Sequence, residues 1–113
     1  MSKREIRAAF RKAVFTRDRF RCRCCGVEGA DRQAGASPLP ALDAHHITSR
    51  DLLPNGGYVV ENGISLCADC HVKAEVHWST GTPLPGFAPA DLYRLIGSTP
   101  EAAESASRRL SKG

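Results

Sequence analysis

Two Cys-x-x-Cys pairs, Cys22/Cys25 and Cys67/Cys70, constrain this chain more than any other feature. A pair at that spacing can place two thiolates on one ion, and two pairs complete a tetrahedral Zn²⁺ site. Thiolates select Zn²⁺ over hard cations such as Mg²⁺. The alternatives for the same residues are a redox dithiol or a set of buried thiols. Cys24 is a fifth thiol with no vacancy on a four-coordinate ion. It either replaces a neighbour as ligand or is a small side chain, buried or exposed.

The composition calls for such a staple. The chain has 113 residues, enough for one domain, and 42% are hydrophobic, but fifteen of those are Ala and five are Cys. So thin a core rarely holds a small domain by itself. Zinc supplies roughly 10–16 kcal/mol of folding free energy in small zinc peptides. No apolar run approaches the roughly 20 residues of a membrane span, and the basic N-terminus lacks the apolar stretch of a secretory signal. The expectation is a soluble, cytoplasmic domain whose cysteines bind metal rather than form disulfides.

Charge is concentrated at one end. Residues 1–23 carry nine Lys/Arg against Glu5 and Asp18, although the whole chain is only +4. Most of these are Arg, which can grip phosphate through two parallel hydrogen bonds. The pattern is either a polyanion footprint or a solvated helix face.

The periodicity predicts an amphipathic helix over 2–16, with Ser2 and Glu5 as a capping box. Ile6, Ala9, Phe10, Ala13 and Val14 would form its buried face, and Lys3, Arg7 and Arg11 a basic stripe on another. Gly26–Leu42 has no period and reads as a loop or insertion. A short strand is expected over Leu42–Thr48, a turn at Leu53–Gly57, and strand-like sequence over Tyr58–Leu66 broken by Asn62-Gly63. A helix from Ala68 to about His77 would carry Val72 and Val76 on one face. Thr80–Pro85 reads as a linker, followed by a helix over Pro89–Ile96 with Gly97 past its end. A last helix, from Thr99 to about Leu110, has mostly Ala at its apolar positions and is expected to fray or dock weakly.

All four histidines fall between Asp43 and His77. Histidine is both the commonest metal ligand and the commonest catalytic base. The order is Asp43-Ala44-His45-His46-Ile47, then Asn62, then Cys67-Ala68-Asp69-Cys70-His71, with the Cys22/Cys25 pair upstream. On these residues, over roughly 14–78, the chain resembles the HNH endonuclease family.

The resemblance implies an α+β fold: a zinc-braced ββα-metal finger over about 42–77, preceded by the basic helix and followed by short C-terminal helices. It divides the chain into a nuclease domain, 1–78, and a linker with helical extension, 79–113. His45 and His71 would be ligands of a catalytic divalent metal, Mg²⁺, Mn²⁺ or another transition ion. His46 would be the general base, and Asn62 would hold the finger in shape and help orient that base. Cys22, Cys25, Cys67 and Cys70 would hold the structural zinc. Many family members carry a further His where this chain has Glu75. That carboxylate shares a helical face with His71 and is either the last ligand or half of an ion pair. His77 lies about 120° around the helix from His71, a poor ligand position, and is expected beside Trp78.

On a strand His45 and His46 point to opposite faces, which suits two roles better than two ligands on one ion. The implied partner is DNA, gripped at its phosphates by Arg4, Arg7, Arg11, Arg17 and Arg50, with little sequence preference and a steep salt dependence. An unperturbed His46 would make activity rise through about pH 7. One site per chain means that cutting both strands requires a homodimer, sequential nicks, or association with a larger nucleic-acid-processing complex. The competing readings are a non-catalytic zinc-stapled DNA-binding module and an RNA-cleaving or redox zinc protein.

Overall fold

A computed structural model describes residues 1–110 of the protein. Helix α1 spans Lys3–Arg17 and begins with the expected capping box: the Ser2 hydroxyl accepts from the Glu5 N–H, and the Glu5 carboxylate accepts from the Ser2 N–H. A tight turn with Arg19 and Phe20 in the left-handed region leads into the Cys22–Cys25 knuckle. Strands β1 (Ala30–Asp31), β2 (Ala41–His46) and β3 (Gly63–Cys67) form one sheet in that order. Helix α2 covers Ala68–Thr80, α3 Pro89–Ile96 and α4 Pro100–Arg108. The architecture is therefore α+β, as expected.

The β2–β3 pair is the centre of the molecule. It is antiparallel, with Leu42 opposite Cys67 and His46 opposite Gly63. Strand alternation sends Ala44, His46, Gly63 and Ser65 toward α1, and Asp43, His45, Ile64 and Leu66 toward α2. Helix α1 approaches so closely that a Cβ on Gly63 would lie 2.5 Å from Val14 and 2.7 Å from the Phe10 ring. Glycine at position 63 is thus a packing requirement as well as a break in the strand-like sequence.

Several expectations are corrected. In α1 the buried residues are Ile6, Phe10, Val14 and Phe15, while Ala9 and Ala13 are exposed. The helix leans its large side chains onto the sheet, and alanines on the flank have too little surface to compete. The apolar face named for α2 is not its buried one: Val72 is exposed while Cys70 and Ala74 are buried, because the helix orients its cysteine and His71 inward. The stretch 26–42 is not wholly irregular: Ala30 and Asp31 pair in parallel with Ala41 and Leu42, and Arg32–Ala34 makes a 3₁₀ turn capped by Asp31.

The C-terminal helices do not fray away from the body. Leu92, Tyr93 and Ala103 belong to the same core as Phe15, Leu42, Ile47, Ile64 and Leu66. The small residues of α4 allow close approach, and Ala103 and Ser107 are fully buried. Asn55 donates to the carbonyls of Ser107 (3.0 Å) and Leu110 (3.2 Å).

A buried ion pair ties the N-terminal helix to the knuckle. The Asp18 carboxylate accepts from Arg17 (2.7 and 2.8 Å), Arg23 (3.0 Å) and the Ser65 N–H (2.9 Å). Burial alone would raise its pKa, but the Arg17 hydrogen bonds and the Ser65 N–H outweigh it and hold the carboxyl below its ordinary value. Arg17 also donates to the carbonyls of Val60 (2.7 Å) and Gly63 (2.6 Å). Its guanidinium is engaged inside the fold, which removes it from the phosphate-gripping set.

Candidate metal centres and the cavity beside them

Cys22, Cys25, Cys67 and Cys70 bring their Sγ atoms within 4.8 Å of one another. The Cys25–Cys67 separation is 3.7 Å, close to the edge of about 3.8 Å for a tetrahedron with Zn–S bonds of about 2.3 Å. The donor set is thus compatible with a structural zinc. Burial pushes the Cys22 thiol up, but backbone N–H groups of the knuckles, those of Cys25, Cys67 and Cys24, more than offset it and bring the thiol down to about 7. Those groups stabilise thiolate, the form a metal takes. Cys24 lies outside the cluster, half-buried against the core. Burial and the neighbouring sulfurs push it up to about 11. It remains a thiol, as the absence of a vacancy implies.

A second cluster lies where β2 meets α2: His45, His71 and Glu75, again with donor atoms within 4.8 Å of one another. His45 is 1% exposed, and neither of its ring nitrogens has a hydrogen-bond partner. An unpartnered buried polar group costs about 1–3 kcal/mol, so the fold keeps one here at a price that a bound ion would remove. Burial, followed by the nearby His71, His46 and His77, pushes its pKa down to about 3, leaving the neutral imidazole a metal requires. Its ring stacks on Trp78 at 5.2 Å and meets the His71 ring edge-on at 5.1 Å.

His71 is oriented from behind. Its Nδ1 lies 3.3 Å from an Asp43 carboxylate oxygen, and Asp43 is in turn gripped by Arg32 through two bonds of 2.9 and 3.0 Å. That leaves Nε2 directed toward Glu75, whose oxygen is 3.6 Å away, near the separation of about 3.0–3.5 Å between two ligands on one ion. A carboxylate–histidine pair of this kind sets the tautomer that a metal ligand needs. His77 does not join the cluster: its Nδ1 lies 3.0 Å from the Ala74 carbonyl, and its ring packs edge-on against Trp78.

His46 points to the other side of β2 and lines a cavity of about 340 Å³, whose wall also includes Arg7, Arg11, Arg50, Tyr58 and His71. Phe10 and Tyr58 hold its ring from two sides, each with its centroid 4.6 Å away. Burial, then Arg50 and Arg7, push its pKa down to about 4. This corrects the expectation of titration near neutrality, since the imidazole is uncharged throughout the physiological range. Arg50 donates to the Tyr58 hydroxyl at 2.7 Å, and Arg7 lies over the Tyr58 ring. Arg11 is paired with Asp31 at 3.3 Å at the rim. Arg4 is exposed on α1 and is not part of the wall.

Asn62 reaches neither the cavity wall nor a metal donor. Fully buried, it donates to the carbonyls of Thr48 and Gly57 (3.1 Å each) and accepts from the Thr48 N–H (2.9 Å) and the Tyr93 hydroxyl (2.7 Å). These bonds close the loop 47–62. Sequence reasoning missed Tyr58, Asp43 and Trp78 as parts of the site. Asp43 could have been found, because strand alternation puts it on the face of His45. Tyr58 and Trp78 carried no local signal.

No helix among the described residues is long and apolar enough to cross a membrane. No curated protein and no solved structure gives a significant match to the chain. The model of the HNH endonuclease family matches residues 22–76, a segment that contains every ligand of both clusters and His46. Over residues 22–76, just under half of its length, the chain is therefore similar to the HNH endonuclease family.

Proposed function

We propose that the protein is a metal-dependent endonuclease that hydrolyses phosphodiester bonds in DNA, with His46 as general base and one divalent ion held by His45, His71 and Glu75. The observation that carries this reading is His45. It is a buried imidazole with two unpartnered nitrogens, beside a second histidine whose tautomer is set by Asp43. A DNA-binding module has no use for that arrangement.

Arg7 and Arg50 would take the phosphate in the cavity, with Arg11 at its rim joining by exchanging Asp31 for DNA. Bound there, the ion would neutralise charge on the phosphate and on the departing 3′ oxygen. His46, uncharged, can accept a proton from the attacking water. Its low pKa makes it a weak base in the free protein, but two of the causes are Arg50 and Arg7. Burial is the larger cause, and a phosphate held by those guanidinium groups would offset only their share of the lowering. Base catalysis of this kind contributes about 10²–10⁴-fold. Tyr58 and Phe10 fix the ring that must meet the water, and the Cys₄ zinc braces the knuckles that carry the finger.

The test is nicking of supercoiled plasmid with Mg²⁺, Mn²⁺ or Ni²⁺, comparing the protein with His46→Ala at equal zinc content. The proposal expects cleavage by the first and a loss of about 10²-fold or more in the second, with DNA binding retained. Binding without cleavage under every ion would leave a zinc-stapled DNA-binding module instead.

A further inference from the structure

The C-terminal helices lie outside the segment that matches the family, yet their polar side chains converge on one loop. Tyr93 of α3 is 2% exposed; its hydroxyl lies 2.6 Å from Thr48 Oγ1 and donates to Asn62 Oδ1 at 2.7 Å. The direction of the chain follows: the Thr48 hydroxyl donates to Tyr93, and Tyr93 donates to Asn62. In the middle of the same loop, the Gly57 N–H donates to Ser107 Oγ of α4 at 3.0 Å, and that hydroxyl donates to the Pro54 carbonyl. Ser98, between the two helices, donates to the Glu61 carbonyl at 2.8 Å. The loop is therefore held at its start, middle and end by residues 93–107. It is this loop that presents Arg50 and Tyr58 to the cavity, with the Tyr58 ring against His46.

We propose that Tyr93 is a positioning residue for the cleavage reaction, and that α3 and α4 are a clamp which sets the loop 47–62 against the base. The proposal rests on the nuclease reading above. Tyr93 touches no substrate; it acts through Thr48 and Asn62. Asn62 Oδ1 also accepts from the Thr48 N–H, so both of its lone pairs are used. What the hydroxyl adds is a third anchor that links the Asn62 amide and the Thr48 side chain to another element. A loop free to shift by about 1 Å can cost about 10²-fold in rate while the chain stays folded.

The experiment compares Tyr93→Phe, Thr48→Ser, Thr48→Val and the double variant Tyr93→Phe/Thr48→Val, all carrying full zinc and a saturating divalent ion. Tyr93→Phe and Thr48→Val are each expected to lower kcat on plasmid by about 10- to 100-fold with KM little changed. Thr48→Ser, which keeps the hydroxyl, retains the rate. The double variant is no slower than the worse single, because both remove one chain. Hydrogen exchange at the Thr48 N–H should quicken in Tyr93→Phe, and at the Gly57 N–H in Ser107→Ala. A Tyr93→Phe protein with the parental kcat would overturn the proposal, as would a double variant whose losses multiply. If the parent protein cuts no DNA under any ion, the nuclease reading fails and exchange judges the clamp by itself. Faster exchange in Tyr93→Phe then supports it, and unchanged exchange overturns it.

Discussion

The two candidate metal clusters both draw ligands from helix α2, yet they are built differently. In the Cys₄ cluster the ligands come in pairs, are steadied by knuckle backbone N–H groups, and close on themselves. In the second cluster the ligands are single side chains from two elements, His45 carries unpartnered nitrogens, and the orientation of His71 depends on Asp43 and Arg32. The first arrangement leaves no ligand position open; the second does, beside an arginine-lined cavity. A closed thiolate set suits a structural ion and an open imidazole–carboxylate set suits a reactive one.

That contrast is sharpest in what each cluster does for folding. Cys67→Ser should be the largest effect. Losing a ligand of a site that contributes roughly 10–16 kcal/mol exceeds the usual stability of about 5–15 kcal/mol. Circular dichroism should show an unfolded chain, with no zinc retained. A folded Cys67→Ser protein at neutral pH would mean that the core holds without its staple.

Asp18 comes next, because it binds the Cys22–Cys25 knuckle to the sheet without belonging to either cluster. Asp18→Ala leaves Arg17 and the Ser65 N–H without their acceptor and should cost about 3–5 kcal/mol in urea denaturation. The folded carboxyl titrates below its ordinary 3.8, so its contribution is present above that value and lost as the pH falls below it. Asp18→Asn should therefore flatten the acid limb of the stability curve.

A smaller effect separates the histidines from the cysteines. His45 and His46 are pushed down from 6.5 to about 3 and about 4. Below pH 6.5 the unfolded chain takes up protons there that the folded chain refuses. Their contribution is complete above 6.5 and falls by about 1.4 kcal/mol per pH unit for each, until the folded values are reached. His46→Gln should remove about half of that slope between pH 6.5 and 4.5, measured by denaturant midpoints.

The residues of both candidate clusters stood out in the sequence for different reasons: the Cys-x-x-Cys pairs by their local spacing, and His45, His71 and Glu75 by the family resemblance. The capping box at Ser2/Glu5 and the helix over Pro89–Ile96 were legible from local spacing too. The residues that support the site were not. Tyr58 and Tyr93 reach His46 and Asn62 across the fold, and no periodicity marks a hydroxyl that will meet an amide 31 residues away. Arg17 looked like its neighbours in a basic run, and only the burial of Asp18 beside it turns it inward. The weakly apolar α4 was misjudged because Ala and Ser contribute by closeness of approach rather than by area.

The most direct test of the division between the two clusters is His45→Leu, scored by metal stoichiometry, stability and plasmid cleavage together. The account predicts a folded protein with one tightly held zinc, no second divalent ion and no cleavage. Without added divalent ion it should be more stable than the parent by about 1–3 kcal/mol, because a buried unpartnered imidazole has gone. A His45→Leu protein that still binds the second ion and cuts DNA, or that loses its zinc, would contradict it.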